Sequence, residues 1–439
     1  MMRSMYACLS GLSAHQTKMD VIGNNIANVN TIAYKSSRAT FQEVFSQTLR
    51  GASAPDTALG RGGTNPMQVG LGINVGSIDT ITTRGGYQRT DNPTDLYIDG
   101  DGFFIVKASN SDTYKFTRAG NFTYDELGNL VTGSGYCVYG WLDYEVDGNG
   151  NYVFDTNKPV EAINLYFDNY NGNKQIIAAK ATENISLAGN LDATNSVVGD
   201  TDPAQVFVPV NVYDSLGNRY EITIEFKKIA ATGGETTWSW SIPNGNLAAG
   251  GASGTIRFGA DGRIIKNAGE DKVTATVTLQ HNDSIGSRDF DVVIDFTNIT
   301  MFAGSDENSV DAKIVDGYPS GSLVSFSIGS DGIIMGVYSN GKQLPLGLIA
   351  IAKFDNPAGL QRAGDNMYVA TANSGDFSNG LKPGMSGAGT LMAGVLEMSN
   401  VDLAKEFTEM IVTQRGFQAN SRTLTAVDEM LQELVNMKR

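Results

Sequence analysis

The chain has 439 residues, 41% of them hydrophobic, and a net charge of −15 at neutral pH. This composition is typical of a folded protein of two or three domains, and the acidic balance argues against a nucleic-acid binder or a protein of anionic membranes, because both need basic surface. No apolar run reaches the roughly 18 residues of a membrane span, so no membrane insertion is expected. The N-terminus also lacks the apolar segment of a cleaved secretory signal. We expect any export to proceed without a cleaved signal peptide.

The residues that usually carry chemistry are few and scattered. The two cysteines, Cys8 and Cys137, and the two histidines, His15 and His281, have no metal-ligand spacing. The sequence holds no P-loop, GxSxG or HExxH pattern. We therefore predict no metal, no cofactor and no enzymatic activity, and nothing in the sequence indicates a role for Cys137.

Both ends of the chain carry the apolar spacing of an amphipathic helix, in steps of three and four residues. The N-terminal positions are Met5, Leu9, Leu12, Met19 and Ile26. The C-terminal positions are Leu403, Phe407, Met410, Phe417, Leu424, Val427, Leu431 and Leu434. Ser399 or Asn400 is predicted to cap the second helix. Such a stripe needs a partner. Either the helices pair within the chain, or copies of the chain complete them as seams, and we favour the seams.

The run that follows the first helix is rich in asparagine, which tolerates left-handed backbone and hydrogen-bonds nearby main chain. It reads GNNIANVNTIAYK from Gly23 to Lys35 and predicts a helix stop followed by a fixed turn. The positions that define it are Asn24, Asn25, Ile26, Ala27, Asn28, Asn30, Thr31, Tyr34 and Lys35.

Residues 31-72 are polar and glycine-rich, and we predict that they form an extended connector. Within it Phe41 and Phe45 are four residues apart, which on a helix would place both rings on one face for packing.

From Ile73 onward the sequence predicts short β-strands separated by turn signals. A second β region begins near residue 175 and contains Trp238 and Trp240 on one face of a strand. The pair could form a sugar-binding platform, but a hydrophobic core is favoured. After residue 311 the pattern predicts a return to the first β domain.

Three runs resemble the bacterial flagellar rod, hook and hook-associated axial proteins. The asparagine-rich run resembles the N-terminal signature of that family, IDGDGFFIV from Ile98 to Val106 resembles its glycine-aromatic strand, and Gly389 to Arg439 resembles its C-terminal helix. Ala33 departs from the pattern, because the family usually carries glycine there. If that glycine serves a positive φ, alanine should cost stability.

The resemblance implies a mainly β fold with long α-helical termini. The terminal helices, 1-30 and 399-439, would form a coiled-coil-like inner layer. An inner β domain, 73-174 and 312-398, would be split by an inserted outer β domain, 175-311.

The resemblance also implies a self-assembling structural subunit of the flagellum. Two β domains favour a subunit of the hook, a flexible curved tube that acts as a universal joint and transmits torque from rod to filament. A distal rod subunit and, in a different class, a secreted β-rich adhesin or lectin-like module are the alternatives.

The implied location is the extracellular hook and basal body. The implied partners are other copies in a helical tube, the flagellar type III export apparatus, the hook cap protein, the distal rod protein and the hook-filament junction protein, with no nucleic acid. Phe41 and Phe45 resemble the family's aromatic export motif.

Overall fold

The computed structural model describes residues 2–55, 62–108, 111–148, 150–197, 205–243, 252–266, 272–279, 288–304 and 308–437. His281 and residues 56–61 of the predicted connector lie outside these ranges. The described chain is mostly β with a long helix at each end, which confirms the predicted fold class. The first helix, α1, spans Met2–Ala27 and the last helix, α2, spans Leu403–Asn436.

Helix α2 begins at a side-chain cap that differs from the predicted one. The Asp402 carboxylate accepts hydrogen bonds from the backbone amides of Ala404 at 2.9 Å and Lys405 at 3.3 Å. The prediction of Ser399 or Asn400 as the cap is therefore wrong, because the helix starts later and the Asn400 side chain bonds elsewhere.

The predicted extended connector and the strand that follows it form a long antiparallel hairpin. Its strands are β1 (Ser37–Glu43), β2 (Ser46–Arg50), β3 (Met67–Gly70) and β4 (Ile73–Thr80). β1 pairs with β4, and β2 pairs with β3. The side chains of β1, β2 and β3 are exposed or half-buried, so these strands lack the apolar alternation that marks a strand in sequence. β4 lies in the β run that was predicted from Ile73. Phe41 lies in β1 and Phe45 directly before β2, so the helical face predicted for the two rings is wrong.

The next strands begin the inner β region. They are β5 (Tyr87–Arg89), β6 (Leu96–Asp99), β7 (Phe103–Lys107), β8 (Lys115–Thr117), β9 (Phe122–Tyr124), β10 (Leu130–Thr132), β11 (Cys137–Trp141), β12 (Tyr144–Val146), β13 (Tyr152–Phe154), β14 (Glu161–Ala162), β15 (Phe167–Asp168), β16 (Gly172–Asn173) and β17 (Ile176–Ile177).

Two four-stranded sheets follow. Their strands are β18 (Asn184–Asn190), β19 (Gln205–Tyr213), β20 (Arg219–Thr232), β21 (Glu235–Ser241), β22 (Ser253–Phe258), β23 (Thr274–Leu279), β24 (Phe290–Thr300) and β25 (Asp311–Val315). The sheet orders are β19-β20-β21-β22 and β23-β24-β18-β25. Trp238 and Trp240 are 0% and 6% exposed in the shared core, which confirms the core assignment over the sugar-binding platform.

The last strands precede α2. They are β26 (Gly321–Ile328), β27 (Ile333–Tyr338), β28 (Gln343–Ile349), β29 (Ile351–Ala352), β30 (Gln361–Arg362), β31 (Met367–Val369), β32 (Thr390–Ala393) and β33 (Val395–Glu397). β28, β11, β7, β8, β31 and β30 lie side by side in one sheet. Its aromatic core includes Phe116 packed edge-on against Phe354, with ring centroids 4.7 Å apart.

The chain divides into two compact units. One comprises Met1–Gly172, Ser327–Met335 and Pro345–Arg439; the other comprises Asn173–Phe326 and Gly336–Leu344. Residues 312–326 and 336–344, predicted for the inner domain, lie in the second unit. For the first of these segments the reason is that β25 pairs with β18 and β26 pairs with β17. The domain limits stay a prediction and differ from this division in these segments.

Candidate functional site

The two terminal helices lie antiparallel and close together. A Cβ atom added to Gly11 would lie 2.8 Å from Asn420 Nδ2, and one added to Gly416 would lie 2.8 Å from His15 Cε1. Each glycine therefore leaves room for a polar side chain of the other helix. Gly416 costs helix α2 about 1 kcal/mol relative to alanine, and this packing is its structural reason.

The face of α1 that is buried is not the predicted stripe. It consists mainly of small residues, namely Cys8, Gly11, Ala14, Ile22 and Asn25. Of the predicted positions Leu9 is exposed, and the others are half-buried. The sequence does mark this face, because small residues recur in it every three positions. A prediction based on large apolar side chains does not detect such a pattern.

The predicted stripe of α2 divides between two faces. The buried or half-buried positions are Met410, Phe417, Leu424, Val427 and Leu431. The exposed positions are Leu403, Phe407 and Leu434. The second group has no cover within the part of the subunit that the structure describes.

One exposed apolar face lies at the start of α2. Leu403, Phe407 and Ile411 are 40%, 50% and 58% exposed and follow one another every four residues, so they line one side of the helix. Met2 and Tyr6 repeat the same spacing on α1 and are exposed as well. We call Leu403, Phe407 and Ile411 the outer helix face. Ile411, Met2 and Tyr6 were not predicted, although their spacing carries the signal.

Helix α1 ends in asparagine hydrogen bonds that fix the direction of the chain. The buried Asn25 amide donates to Ser37 O at 2.8 Å and accepts from Ser37 N at 2.9 Å. The Tyr34 hydroxyl donates to Asn25 Oδ1 at 3.3 Å, and Asn28 Nδ2 donates to Asn24 O at 2.9 Å. The Asn25 side chain thus bonds both backbone groups of Ser37, the first residue of β1, as the backbone of a paired strand does.

Lys35, the last residue of this run, enters a buried ion cluster. Its Nζ donates to Glu397 Oε1 at 2.6 Å and to Thr83 O at 2.9 Å. Glu397 also accepts from Gly85 N at 3.2 Å and from Arg118 Nη1 at 3.4 Å. The side chains of Lys35, Arg118 and Glu397 are only 2%, 5% and 1% exposed. Burial lowers the pKa of the Lys35 ammonium, and the Glu397 carboxylate opposes that shift.

The glycine-aromatic run supplies the backbone acceptors for Arg118. Its guanidinium donates to Gly100 O at 2.6 Å and to Gly102 O at 2.9 Å. The two glycines have φ values of +146° and +138°, which L side chains rarely adopt. A Cβ added to Gly100 would also lie 2.2 Å from the Cα atom of Gly389.

Asn400, just before α2, completes the arrangement. Its Oδ1 accepts from Ser36 N at 2.7 Å, and its Nδ2 donates to Ile81 O at 2.9 Å. The three runs that resemble the axial family therefore meet in one place. We call this site the terminal junction, and it comprises Asn25, Lys35, Gly100, Gly102, Arg118, Glu397 and Asn400.

Ala33 stands at a left-handed position of this junction. Its φ is +55°, its N–H donates to Glu397 O at 2.8 Å, and it is 2% exposed. Glycine at this position would relieve left-handed strain and so stabilise the fold by about 1–2 kcal/mol. Two effects favour alanine instead: its buried methyl group contributes about 0.8 kcal/mol, and it restricts the unfolded chain, which contributes about 0.4–1 kcal/mol. The stability cost of alanine is therefore small.

We expect Ala33→Gly to leave the free energy of unfolding within about 1 kcal/mol of the native value. Ala33→Val should lower it by roughly 2–3 kcal/mol, because a β-branched side chain is strained at this φ and the added methyl groups would enter a buried position. Denaturant unfolding followed by circular dichroism measures both. Equal stability of the valine and glycine variants would contradict the left-handed geometry.

The two aromatic residues of the hairpin have different surroundings. The Phe41 ring lies edge-on to His15 of α1, with centroids 5.5 Å apart. Phe45 is 63% exposed. Two other apolar side chains of the hairpin are exposed as well, Leu49 by 56% and Val69 by 42%. Phe41 is 37% exposed and packs partly on α1, whereas most of the Phe45 side chain is available to contact another molecule.

The described residues hold no group of three or more histidine, cysteine, aspartate or glutamate side chains placed to bind a metal ion. Cys8 is buried and Cys137 is half-buried, and neither forms a disulfide bond within the described residues. Within the same residues, neither helix has the length and apolar character needed to cross a membrane.

Comparison with known families identifies the class of protein. Residues 5–35 match the family described as "Flagella basal body rod protein", and residues 97–187 match "Flagellar hook protein FlgE/F/G D1 domain". Residues 188–318 match "Flagellar basal body protein FlaE D2 domain", and residues 392–437 match "Flagellar basal body rod FlgEFG protein C-terminal". The terminal helices and both β regions thus define an axial protein of the bacterial flagellum.

Relatives along the whole chain narrow this class. The flagellar hook proteins FlgE of Borreliella burgdorferi and Treponema pallidum are 41% and 36% identical, with all of this chain and all of each relative covered. The flagellar basal-body rod protein FlgG of Bacillus subtilis is 32% identical over all of both chains. The chain belongs to the flagellar hook protein family, and it is a structural subunit of the hook, located in the flagellum. The adhesin and lectin alternatives are set aside by these matches.

Proposed function

We propose that the outer helix face is a seam along which copies of this chain assemble into the hook tube. The exposure of Leu403, Phe407 and Ile411 in the subunit is the observation that carries the proposal. A row of large apolar side chains at the surface usually marks an interaction site. In a polymer of identical subunits, the available cover is another copy.

The predicted seam thus divides into two roles. The half-buried residues of α2, among them Phe417 and Leu424, hold α1 and α2 together within one subunit. The outer helix face and the exposed apolar residues of α1 contact neighbouring subunits.

The β regions would meet their neighbours through more polar contacts. Thr274, Thr276 and Thr278, the exposed residues of β23, form a polar face that such contacts would use. Polar contacts that include water can rearrange at low cost, whereas apolar seams resist separation. This division lets the tube bend while it transmits torque from rod to filament, as a universal joint does.

The subunit would reach its position through the flagellar type III export apparatus, without a cleaved signal peptide. Subunits would assemble beneath the hook cap protein. The finished tube would join the distal rod protein at one end and the hook-filament junction protein at the other. Helices that gain apolar cover only in the polymer are consistent with a subunit that stays monomeric before assembly.

Phe45 is our candidate for the aromatic residue read by the export apparatus. Because Phe41 packs on α1 and Phe45 is exposed, we expect Phe45→Ala to lower secretion several-fold with no change in subunit stability. Phe41→Ala should instead lower the stability of the hairpin. Secreted and retained protein, measured by immunoblot in a flagellated host, separates the two. Normal secretion of the Phe45→Ala variant would assign that ring to assembly contacts.

Negative-stain electron microscopy tests the proposed assembly. The intact chain, driven to polymerise, is compared with a chain that ends at residue 402 and so lacks α2. Curved hollow tubes from the intact chain alone are expected. Straight, stiff tubes would indicate a rod-type assembly, and tubes from both chains would contradict a helical seam.

A further inference from the structure

The Glu397 carboxylate connects three distant parts of the chain. It contacts Lys35 at the end of the N-terminal run, Gly85 before β5, and Arg118 after β8. Lys35 and Glu397 are 362 residues apart in sequence. No other side chain of the terminal junction bears a negative charge, so Glu397 alone balances two buried cations.

The segment that carries Glu397 is attached as an arm. Strand β32 pairs with β6, and β33 pairs with β5. The stretch between β31 and β32 contains no helix or strand of more than a single bridge, and Gly375, Gly384 and Gly387 take left-handed backbone there. Residues 390–437, the arm, are therefore joined to the β core by a turn-rich segment.

The N-terminal run depends on this arm for its hydrogen bonds. Ala33 N donates to Glu397 O at 2.8 Å, and Ser36 N donates to Asn400 Oδ1 at 2.7 Å. Without the arm these amides lose their partners, and Lys35 and Arg118 become like charges buried near one another. Unpaired buried charges and amides destabilise the conformation that contains them.

We propose that Glu397 is a latch: Lys35, Arg118 and the Gly85 amide form a carboxylate-binding cradle, and its occupation by Glu397 couples order in residues 33–36 to docking of the arm. The latch fixes both terminal helices to the inner β region at once. It is a property of the single subunit, so it holds whatever covers the outer helix face in the polymer.

The test uses hydrogen exchange in the full chain with Glu397→Ala. This variant leaves a space lined by the cradle, and backbone amides of residues 33–36 should exchange at least about ten-fold faster than in the native chain. Roughly 0.2 M acetate should restore slow exchange by binding in the cradle, whereas chloride at the same ionic strength should not. The control is Glu221→Ala, which breaks an exposed ion pair with Arg219 in β20, away from the terminal junction, and should leave these amides unchanged.

A second variant covers the case in which Glu397→Ala fails to fold. Lys35→Met with Glu397→Met replaces the pair by apolar side chains of similar length, and Arg118 keeps its carbonyl partners Gly100 and Gly102. We expect faster exchange at residues 33–36 with unchanged exchange in β7. Native protection in this double variant, or equal rescue of Glu397→Ala by acetate and chloride, would overturn the latch.

Discussion

Phe407→Asp is expected to leave the free subunit folded and to abolish tube formation. Phe407 is 50% exposed in the subunit, so replacing it should change the free energy of unfolding by no more than about 0.5 kcal/mol. In a seam, the same carboxylate would be buried against an apolar neighbour without a partner, at a cost of several kcal/mol. Because every subunit repeats the defect, polymerisation should fail.

Thr408→Asp is the matched control for this variant. Thr408 occupies the next position of α2, is exposed, and bonds only to Ala404 O of its own helix at 2.8 Å. It lies about 100° further around the helix, outside the outer helix face. Electron microscopy and sedimentation should show tubes for Thr408→Asp and monomers for Phe407→Asp. Tubes from both variants would remove Phe407 from the seam.

Gly100→Ala should destabilise the subunit strongly. It combines a φ of +146° with a Cβ position 2.2 Å from the Cα atom of Gly389. Backbone, unlike a flexible side chain, cannot move aside locally. We expect the free energy of unfolding to fall by more than about 3 kcal/mol, because the backbone must shift and displace the Gly100 carbonyl that accepts from Arg118.

Alanine substitutions at two further glycines in the same β region distinguish the cost of backbone strain from the cost of steric crowding. Gly135 has a φ of +81° and no atom within 4 Å of an added Cβ, so Gly135→Ala should cost about 1 kcal/mol from strain alone. Gly133 has open space and no positive φ, so Gly133→Ala should be neutral or stabilising by up to about 1 kcal/mol. Denaturant unfolding gives the three values. Equal stability of the Gly100 and Gly133 variants would contradict the close packing of Gly389.

Strong periodic signals in the sequence predicted the helices, while contacts between distant residues decided the details. The spacing of Phe407, Leu424 and Leu431 was enough to place α2. The same spacing could not show that Leu424 is half-buried in the subunit while Phe407 is exposed. That division depends on which side α1 occupies, and Gly11 and Gly416 decide it by letting the helices approach.

The junction was predicted only in part for a similar reason. The asparagine-rich run was identified as a fixed turn, and Asn25 and Lys35 do hold it. Arg118 and Glu397 were missed, since a single charged residue in a β region usually points to solvent and nothing local marks it as buried. Strands β1, β2 and β3 of the hairpin were missed because their side chains are exposed or half-buried and show no apolar period, whereas β4 lies in the β run predicted from Ile73.

The most direct measurement is a cryo-electron microscopy map of the assembled tube at a resolution that shows side chains. Leu403, Phe407 and Ile411 are 40–58% exposed in the subunit. The proposed seam predicts that all three are buried against a neighbouring copy, while the Lys35–Glu397 pair keeps its contact within each subunit. A tube in which these three side chains still face solvent, with subunits joined only through their β regions, would contradict it.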